Sequence, residues 1–163
     1  MLDTIDFSKM RTLGAGGNNV CFTDKKIAVK FGNVDQDEVD LMVEAAKHEL
    51  SVPVLYYAQN VQLPHAAMEL INNFPERFYY EGGTVPYPVY TIRKKSRANV
   101  LIMPYAKPLM RNDKQYTDAY QEKMYAVAEE FSERYLEVMG YEWMDNHPWN
   151  LGYYRDNLVI LDV

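Results

Sequence analysis

The most informative part of the chain is 143-WMDNHPWNLGYY-154, in which polar residues are interleaved with aromatic ones. Asp145 and Asn150 lie five residues apart in it, and Asp162 follows in 158-LVILDV-163. Asp and Asn in a tight, proline-containing loop often simply stabilise a turn. In one cavity, however, a carboxylate accepts a proton, while amide and carboxylate oxygens bind a cation such as Mg²⁺. For the loop alone, the two interpretations are evenly balanced.

The sequence predicts a long helix before this loop and a β-hairpin after it. Residues 114–140 repeat apolar side chains every three or four positions and end at Gly140, a typical C-terminal cap. Residues 150–163 alternate around a predicted turn at Arg155, Asp156 and Asn157. The predicted apolar stripe of the helix consists of Tyr120, Met124, Val127, Phe131, Tyr135 and Val138.

The preceding part of the chain predicts a β-rich unit with one inserted helix. Residues 9–32 read as strands around a turn rich in Gly and Asn, and residues 51–60 as a further strand. Residues 61–86 predict a short helix and then a loop, and 89–95 and 98–106 predict an antiparallel strand pair. Residues 33–50 predict the inserted helix, with an apolar stripe of Val39, Met42, Val43, Ala46 and Leu50.

Two features of the β-rich unit are candidates for binding an anion. Gly14, Gly16 and Gly17 allow the backbone to approach a ligand closely, although glycine-rich hairpin turns are also common without one. Lys30 shares a strand face with Ala28, so it points either into a cleft or, as strand lysines usually do, into solvent.

The order of these parts resembles that of the protein-kinase-like superfamily over residues 10–163. The segments that carry the resemblance are LGAGGNNV, AVK, an acid-bearing helix, LIMPYAKP, a long helix, DNHPWN and ILD. The form D-x-H-x-x-N is similar to the loops of aminoglycoside-phosphotransferase-like and small bacteriophage-encoded kinases. The resemblance implies an α+β, minimal kinase-like fold in a single domain, 1–163. Its β-rich N-terminal lobe and hinge would cover about 1–106, and a reduced C-terminal lobe about 107–163.

The resemblance also implies roles for individual residues around ATP and Mg²⁺. Asp145 corresponds to the catalytic base, and Lys30 corresponds to the phosphate-binding lysine. Glu44 is taken as the partner of Lys30, although Glu49 is an alternative. Asn150 and Asp162 correspond to the metal ligands. The implied nucleotide-binding residues are Gly14, Gly16, Gly17, Ala28, Lys30, Met103, Tyr105 and Ala106.

The sequence departs from the family pattern in three respects, one of which is the ambiguous helix glutamate described above. Asn19 stands where the third glycine of the loop is usual, and residues 162–163 are not followed by Phe-Gly, an activation segment or a peptide-binding platform. From the resemblance as a whole, we expect an ATP- and Mg²⁺-dependent kinase that acts on a protein Ser/Thr or Tyr hydroxyl. The alternatives are an inactive pseudokinase that binds a protein partner, and a small-molecule phosphotransferase. A homodimer or a host protein could supply the missing surface.

Composition limits the location and the partners of the chain. Its 163 residues include 48% hydrophobic residues and one cysteine, Cys21, so an internal disulfide is excluded. A net charge of −6 argues against nucleic-acid binding. The sequence contains neither a signal-peptide pattern nor an apolar run long enough to cross a membrane. We therefore expect a cytoplasmic protein, in the host cytoplasm if it is bacteriophage-encoded.

Overall fold

The computed structural model describes residues 1–16, 19–74, 77–80, 83–86, 95–111 and 114–161. These residues form an α+β fold with a five-stranded antiparallel sheet, three α-helices and a smaller three-stranded sheet. The expectation of an α+β fold is therefore confirmed. A two-stranded hairpin completes the described structure.

The five-stranded sheet provides the framework of the molecule. Its strand order is β1 (Arg11–Gly16), β2 (Asn19–Thr23), β3 (Ile27–Gly32), β7 (Arg97–Pro104) and β4 (Tyr56–Gln62). β3 and β7 are interior strands, and most of their side chains are buried, because both faces of the sheet are covered. One face packs against α2 (His65–Asn72) and the N-terminal residues, with Phe22, Phe31 and Ile102 in the shared core.

The other face of the sheet packs against α1 (Gln36–Ala46). The Asp35 side chain caps this helix by accepting a hydrogen bond from the Glu38 N–H at 2.8 Å. The main-chain oxygen of Val34 accepts hydrogen bonds from the side chains of Tyr57 and Asn99, which fixes the approach to the helix. The residue that precedes the cap of α1 is thus tied to β4 and β7.

The buried face of α1 is rotated relative to the predicted stripe. Val39, Met42 and Ala45 are buried, whereas Val43 is 42% exposed. Positions 39, 42 and 45 follow the helical repeat as well as the predicted stripe does, so the amphipathic pattern alone did not identify the docking face.

The long helix is α3 (Asp118–Met139), and its predicted end is confirmed. Gly140 adopts φ +79° and donates its N–H to the Leu136 oxygen, as a left-handed C-terminal cap does. Met124, Phe131 and Tyr135 of the predicted stripe are buried, but Tyr120 and Val138 are exposed at its two ends. The helix therefore packs along its middle, against Trp143, Leu151 and Ile160 among others.

The small sheet joins the last part of the chain to the five-stranded sheet. It consists of β8 (Lys107–Pro108), β9 (Leu151–Tyr154) and β10 (Asn157–Ile160). The predicted hairpin turn is confirmed, since Arg155 and Asp156 both have positive φ. The Ile160 N–H donates to the Leu50 oxygen at 2.8 Å, beside a parallel bridge between Ser51 and Ile160. This contact connects the segment after α1 directly to β10.

Two segments differ from the sequence-based expectation or lie outside the described residues. The short helix predicted within 61–86 is α2, but the expected loop after it contains β5 (Arg77–Tyr80) and β6 (Gly83–Pro86), which pair as a hairpin. The strand predicted at 89–95 falls almost entirely outside the described residues. None of the described helices combines the length and the apolar character that crossing a membrane requires.

Candidate functional site

An open cleft separates the five-stranded sheet from the loop that precedes β9. Its walls come from distant parts of the sequence, including the first glycine-rich strand, β3, the end of β7 and the loop at 149–150. Six of the predicted site residues line it: Gly14, Ala28, Lys30, Met103, Ala106 and Asn150. The fold therefore brings most of the predicted nucleotide-binding residues into one cavity.

Lys30 forms the charged part of the sheet wall. Its position in β3, opposite Cys21 of β2 and Leu101 of β7, leaves its side chain only 6% exposed. The Nζ atom donates a hydrogen bond to Glu38 Oε1 at 2.8 Å, and the Glu38 side chain is itself 16% exposed. A buried ammonium group requires such a partner, because desolvation strongly disfavours an isolated charge. The ion pair with Glu38 thus keeps the ammonium group of Lys30 at the wall of the cleft.

The partner of Lys30 is Glu38, whereas the sequence analysis chose Glu44. Glu38 shares the docking face of α1, because Met42 and Ala45 follow it by four and seven residues. Glu44 lies on the exposed side, where its Oε2 accepts a hydrogen bond from Lys47 Nζ at 2.5 Å. That hydrogen bond lowers the pKa of the Glu44 carboxyl below its usual value. The predicted partner of Lys30 is therefore corrected from Glu44 to Glu38. Glu49, the alternative partner, is exposed as well.

The glycine-rich strand reaches the cleft through its first glycine. Gly14 lines the cavity, and Gly16 ends β1 opposite Asn19. Gly17 lies outside the described residues. Asn19, which stands in place of a third glycine, accepts a hydrogen bond from the Asn33 N–H through its Oδ1 at 2.8 Å. Its side chain thus ties the start of β2 to the segment that leads into α1.

The segment predicted to be a hinge follows β7 directly. Met103, Pro104 and Ala106 line the cleft, and the first and last of these are buried. Tyr105 is not among the lining residues, and its N–H donates to the Lys26 oxygen at 2.9 Å. Tyr105 and Ala106 were both predicted to bind the nucleotide. Ala106 lines the cavity, whereas the Tyr105 main-chain N–H is hydrogen-bonded to the residue before β3.

The loop wall brings Asn150, but not Asp145, to the cleft. The Asn150 Nδ2 donates a hydrogen bond to the main-chain oxygen of Asp145 at 3.3 Å. The Leu161 N–H donates to the main-chain oxygen of Asn150 at 2.8 Å. Asp145 itself is exposed and is not among the residues that line the cavity. Asp162, the second predicted metal ligand, lies outside the described residues.

Among the described residues, the charged side chains that line the cleft are basic. Lys30 and Arg111 are its charged lining residues, and no Asp or Glu occurs among the described residues that line it. The chain as a whole carries a net charge of −6. Both basic side chains can donate hydrogen bonds to an anionic ligand. Within the described part of the chain, no group of three His, Cys, Asp or Glu side chains is placed to hold a metal ion by itself.

The sequence analysis missed several residues of the cleft. Cys21, Met110, Arg111 and Trp149 all line it. A signal existed for Cys21, because residues paired across adjacent antiparallel strands share a face and Cys21 pairs with Lys30. A signal also existed for Glu38, which lies three residues after the capping Asp35 and therefore in the first turn of α1. Arg111 and Trp149 depend on tertiary packing that local sequence does not encode.

The comparisons with known proteins do not extend this assignment. Neither a scan against protein-family models nor a search of curated proteins finds a match to this chain.

Proposed function

We propose that the chain is a small kinase-like protein that transfers the γ-phosphoryl group of ATP to a protein Ser/Thr or Tyr hydroxyl. The observation that carries this proposal is the cleft itself. It combines a buried lysine, paired with a helix carboxylate, with an asparagine on the opposite wall. These are groups that the resemblance to protein kinases requires at a nucleotide site, and they come from three separate segments.

The residues present fit ATP and Mg²⁺. Lys30 would hold the α- and β-phosphates, and Glu38 would keep its side chain in place. Asn150 would provide an amide oxygen to Mg²⁺, together with Asp162 on the basis of the sequence pattern. Bound Mg²⁺ would neutralise charge on the phosphates. The buried apolar side chains of Ala28, Met103 and Ala106 would accommodate an adenine ring.

Asp145 would orient the acceptor hydroxyl. Its exposure outside the cleft leaves it accessible to a macromolecular acceptor approaching from solvent. A protein hydroxyl could therefore reach Asp145 while ATP fills the cleft behind it, as an in-line transfer requires. Such an acceptor would be a host protein if the chain is bacteriophage-encoded.

A second candidate is a nucleotide-dependent binding module without transferase activity. The observation that favours it is the same position of Asp145. The hydrogen bond between Asn150 and Asp145 uses the main-chain oxygen, so it does not aim the carboxylate at the cleft. A pseudokinase would need the cavity and Lys30, but not an oriented Asp145.

Incubation of purified protein with Mg²⁺, γ-labelled ATP and a cell lysate tests the proposal. We expect label on the chain or on a lysate protein, and we expect Lys30→Met, Asp145→Ala and Asp162→Ala to lose it. Lys26→Met is the matched control for Lys30→Met, because Lys26 is an exposed lysine four residues earlier and should keep full activity. Stabilisation by Mg-ATP without transfer would support the binding module instead. Absence of both responses in the wild type would contradict both functions.

A further inference from the structure

An aromatic cluster connects the loop that carries Asn150 to α3. The cluster consists of Tyr125 on α3 and His147 and Trp149 in the loop. The Tyr125 Oη lies 2.8 Å from His147 Nε2, and the two rings meet edge to face with centroids 5.3 Å apart. The His147 and Trp149 rings lie 4.4 Å apart at an interplanar angle of 31°. A side chain on the long helix is thereby connected to a residue that lines the cleft.

His147 also organises the backbone that leads to Asn150. Its Nδ1 accepts a long hydrogen bond of 3.4 Å from the Trp149 N–H, and its main-chain oxygen accepts one of 2.9 Å from the Asn150 N–H. It therefore caps the 3-10 turn Pro148–Asn150. Because Nδ1 acts as an acceptor, the ring proton belongs on Nε2, which donates to the Tyr125 Oη. The contact with Tyr125 is therefore compatible with the tautomer that caps the turn.

We propose that Tyr125 is a positioning residue that orders the cleft loop through His147 and so sets the place of the Asn150 side chain. The ordering of the loop is independent of any nucleotide, whereas its consequence for Mg²⁺ rests on the proposed function. The resemblance to protein kinases assigns no role to Tyr125. Its role follows from its hydrogen bond and ring contacts with the loop.

Amide hydrogen exchange in the nucleotide-free protein tests the positioning directly. Loss of one hydrogen bond in Tyr125→Phe should increase exchange at the Trp149 and Asn150 amides about fivefold, while amides in the middle of the five-stranded sheet remain unchanged. Tyr120→Phe is the matched control. It removes the same hydroxyl from the same helix, where the Tyr120 Oη donates to the Leu109 oxygen at 3.5 Å and does not contact the loop. Unchanged exchange in Tyr125→Phe, or an equal increase in both variants, would overturn the proposal.

A second variant separates the contact with Tyr125 from the cap. His147→Asn keeps a side chain that can cap the turn but is too short to bridge to Tyr125. We expect His147→Asn to increase Asn150 exchange to the same extent as Tyr125→Phe, and the double variant to exchange no faster than either single one, because both remove the same interaction. Fully additive effects would overturn a pathway through His147.

ATP binding provides the functional arm. Tyr125→Phe should raise the Mg²⁺ concentration needed for half-maximal ATP binding about fivefold and leave the affinity for metal-free ATP unchanged. An equal loss of both affinities would overturn the link to Asn150. If the wild type binds no ATP, the proposed function and this link both fail, and the exchange measurement still decides whether Tyr125 positions the loop.

Discussion

The two walls of the cleft are held in place by different kinds of interaction. Lys30 belongs to an interior strand, and strand pairing, burial and an ion pair with Glu38 fix it together. The loop around Asn150 is more exposed, and a few hydrogen bonds and ring contacts with His147, Tyr125 and Leu161 fix it.

This difference indicates how each wall responds to change. The sheet wall shares the stability of the core, so displacing Lys30 requires disruption of the fold around it. The loop wall depends on local contacts, whose opening free energies are smaller than that of global unfolding. A substitution at the sheet wall should therefore affect stability and function together. A substitution at the loop wall should affect function with little cost in stability.

The largest effect should come from the ion pair of the sheet wall. Glu38→Gln removes the carboxylate that accepts a hydrogen bond from the buried Lys30 ammonium, and we expect the free energy of unfolding to fall by about 2–3 kcal/mol. Phosphoryl transfer should fall about 100-fold, since Lys30 loses its orientation. Urea unfolding and the transfer assay measure the two effects. Glu44→Gln is the matched control on the same helix and should change neither the stability nor the transfer rate. Larger losses in Glu44→Gln than in Glu38→Gln would make Glu44 the functional partner of Lys30.

A smaller loss of stability should follow from adding a methyl group to the small sheet beneath the cleft. In Gly152→Ala, the new Cβ would lie 2.8 Å from the Lys107 oxygen and 3.0 Å from Leu161 Cδ1. We expect the free energy of unfolding to fall by about 2 kcal/mol, and Mg-ATP to bind more weakly because Leu161 lines the cleft.

Gly140→Ala provides the comparison for Gly152→Ala. At Gly140 nothing lies within 4 Å of an added Cβ, but φ is +79°. Backbone strain alone should cost about 1 kcal/mol, without an effect on nucleotide binding. Equal unfolding free energies for the two variants would contradict close packing between β8 and β9.

On the loop wall, Asn150→Ala should change function without a comparable change in stability. Removal of the amide oxygen should raise the Mg²⁺ concentration for half-maximal transfer about tenfold, while the urea midpoint changes little because the loop is half-exposed. Asn146→Ala is the control, since Asn146 is an exposed asparagine in the same loop and does not line the cleft. A large loss of stability in Asn150→Ala would remove the distinction between the two walls.

The smallest effect is a change in stability at alkaline pH. It concerns Tyr135 on α3, the helix that also carries Tyr125. Burial, and then the hydrogen bond with Tyr141, raises the pKa of Tyr135 above its usual value. The unfolded chain then loses this proton first, so the associated stability is complete below about pH 10 and decreases as the pH rises further. Tyr135→Phe should weaken this alkaline dependence in urea titrations. An identical pH profile would indicate that Tyr135 ionises as it does in the unfolded chain.

Much of the fold could be predicted because its signals are local. The left-handed cap at Gly140 and the hairpin turn at Arg155 and Asp156 each depend on a few neighbouring residues. The rotation of α1 could not be predicted in this way. Its sequence carries apolar side chains on two overlapping faces, and Ala45 rather than Val43 is buried, in the cluster that contains Phe131 and Ile160.

The candidate site was predictable to the extent that chain order determined it. The glycine strand, Lys30, Met103 and Asn150 follow the order of a known pattern, and the fold brings them to one cleft. Glu38 was missed because the choice of Glu44 rested on distance along the chain rather than on the helix face. The contacts of Arg111 and Tyr125 arise between segments far apart in sequence, so periodicity carries no information about them.

The most direct test of the account is to locate the ligand by NMR. A non-hydrolysable ATP analogue with Mg²⁺ would be titrated into isotopically labelled protein while backbone amide shifts are followed. The account predicts saturable shifts at Gly14, Lys30, Ala106 and Asn150, with the outward face of α3 unaffected and with loss of binding in Lys30→Met. No saturable shift, or shifts centred away from this cleft, would contradict it.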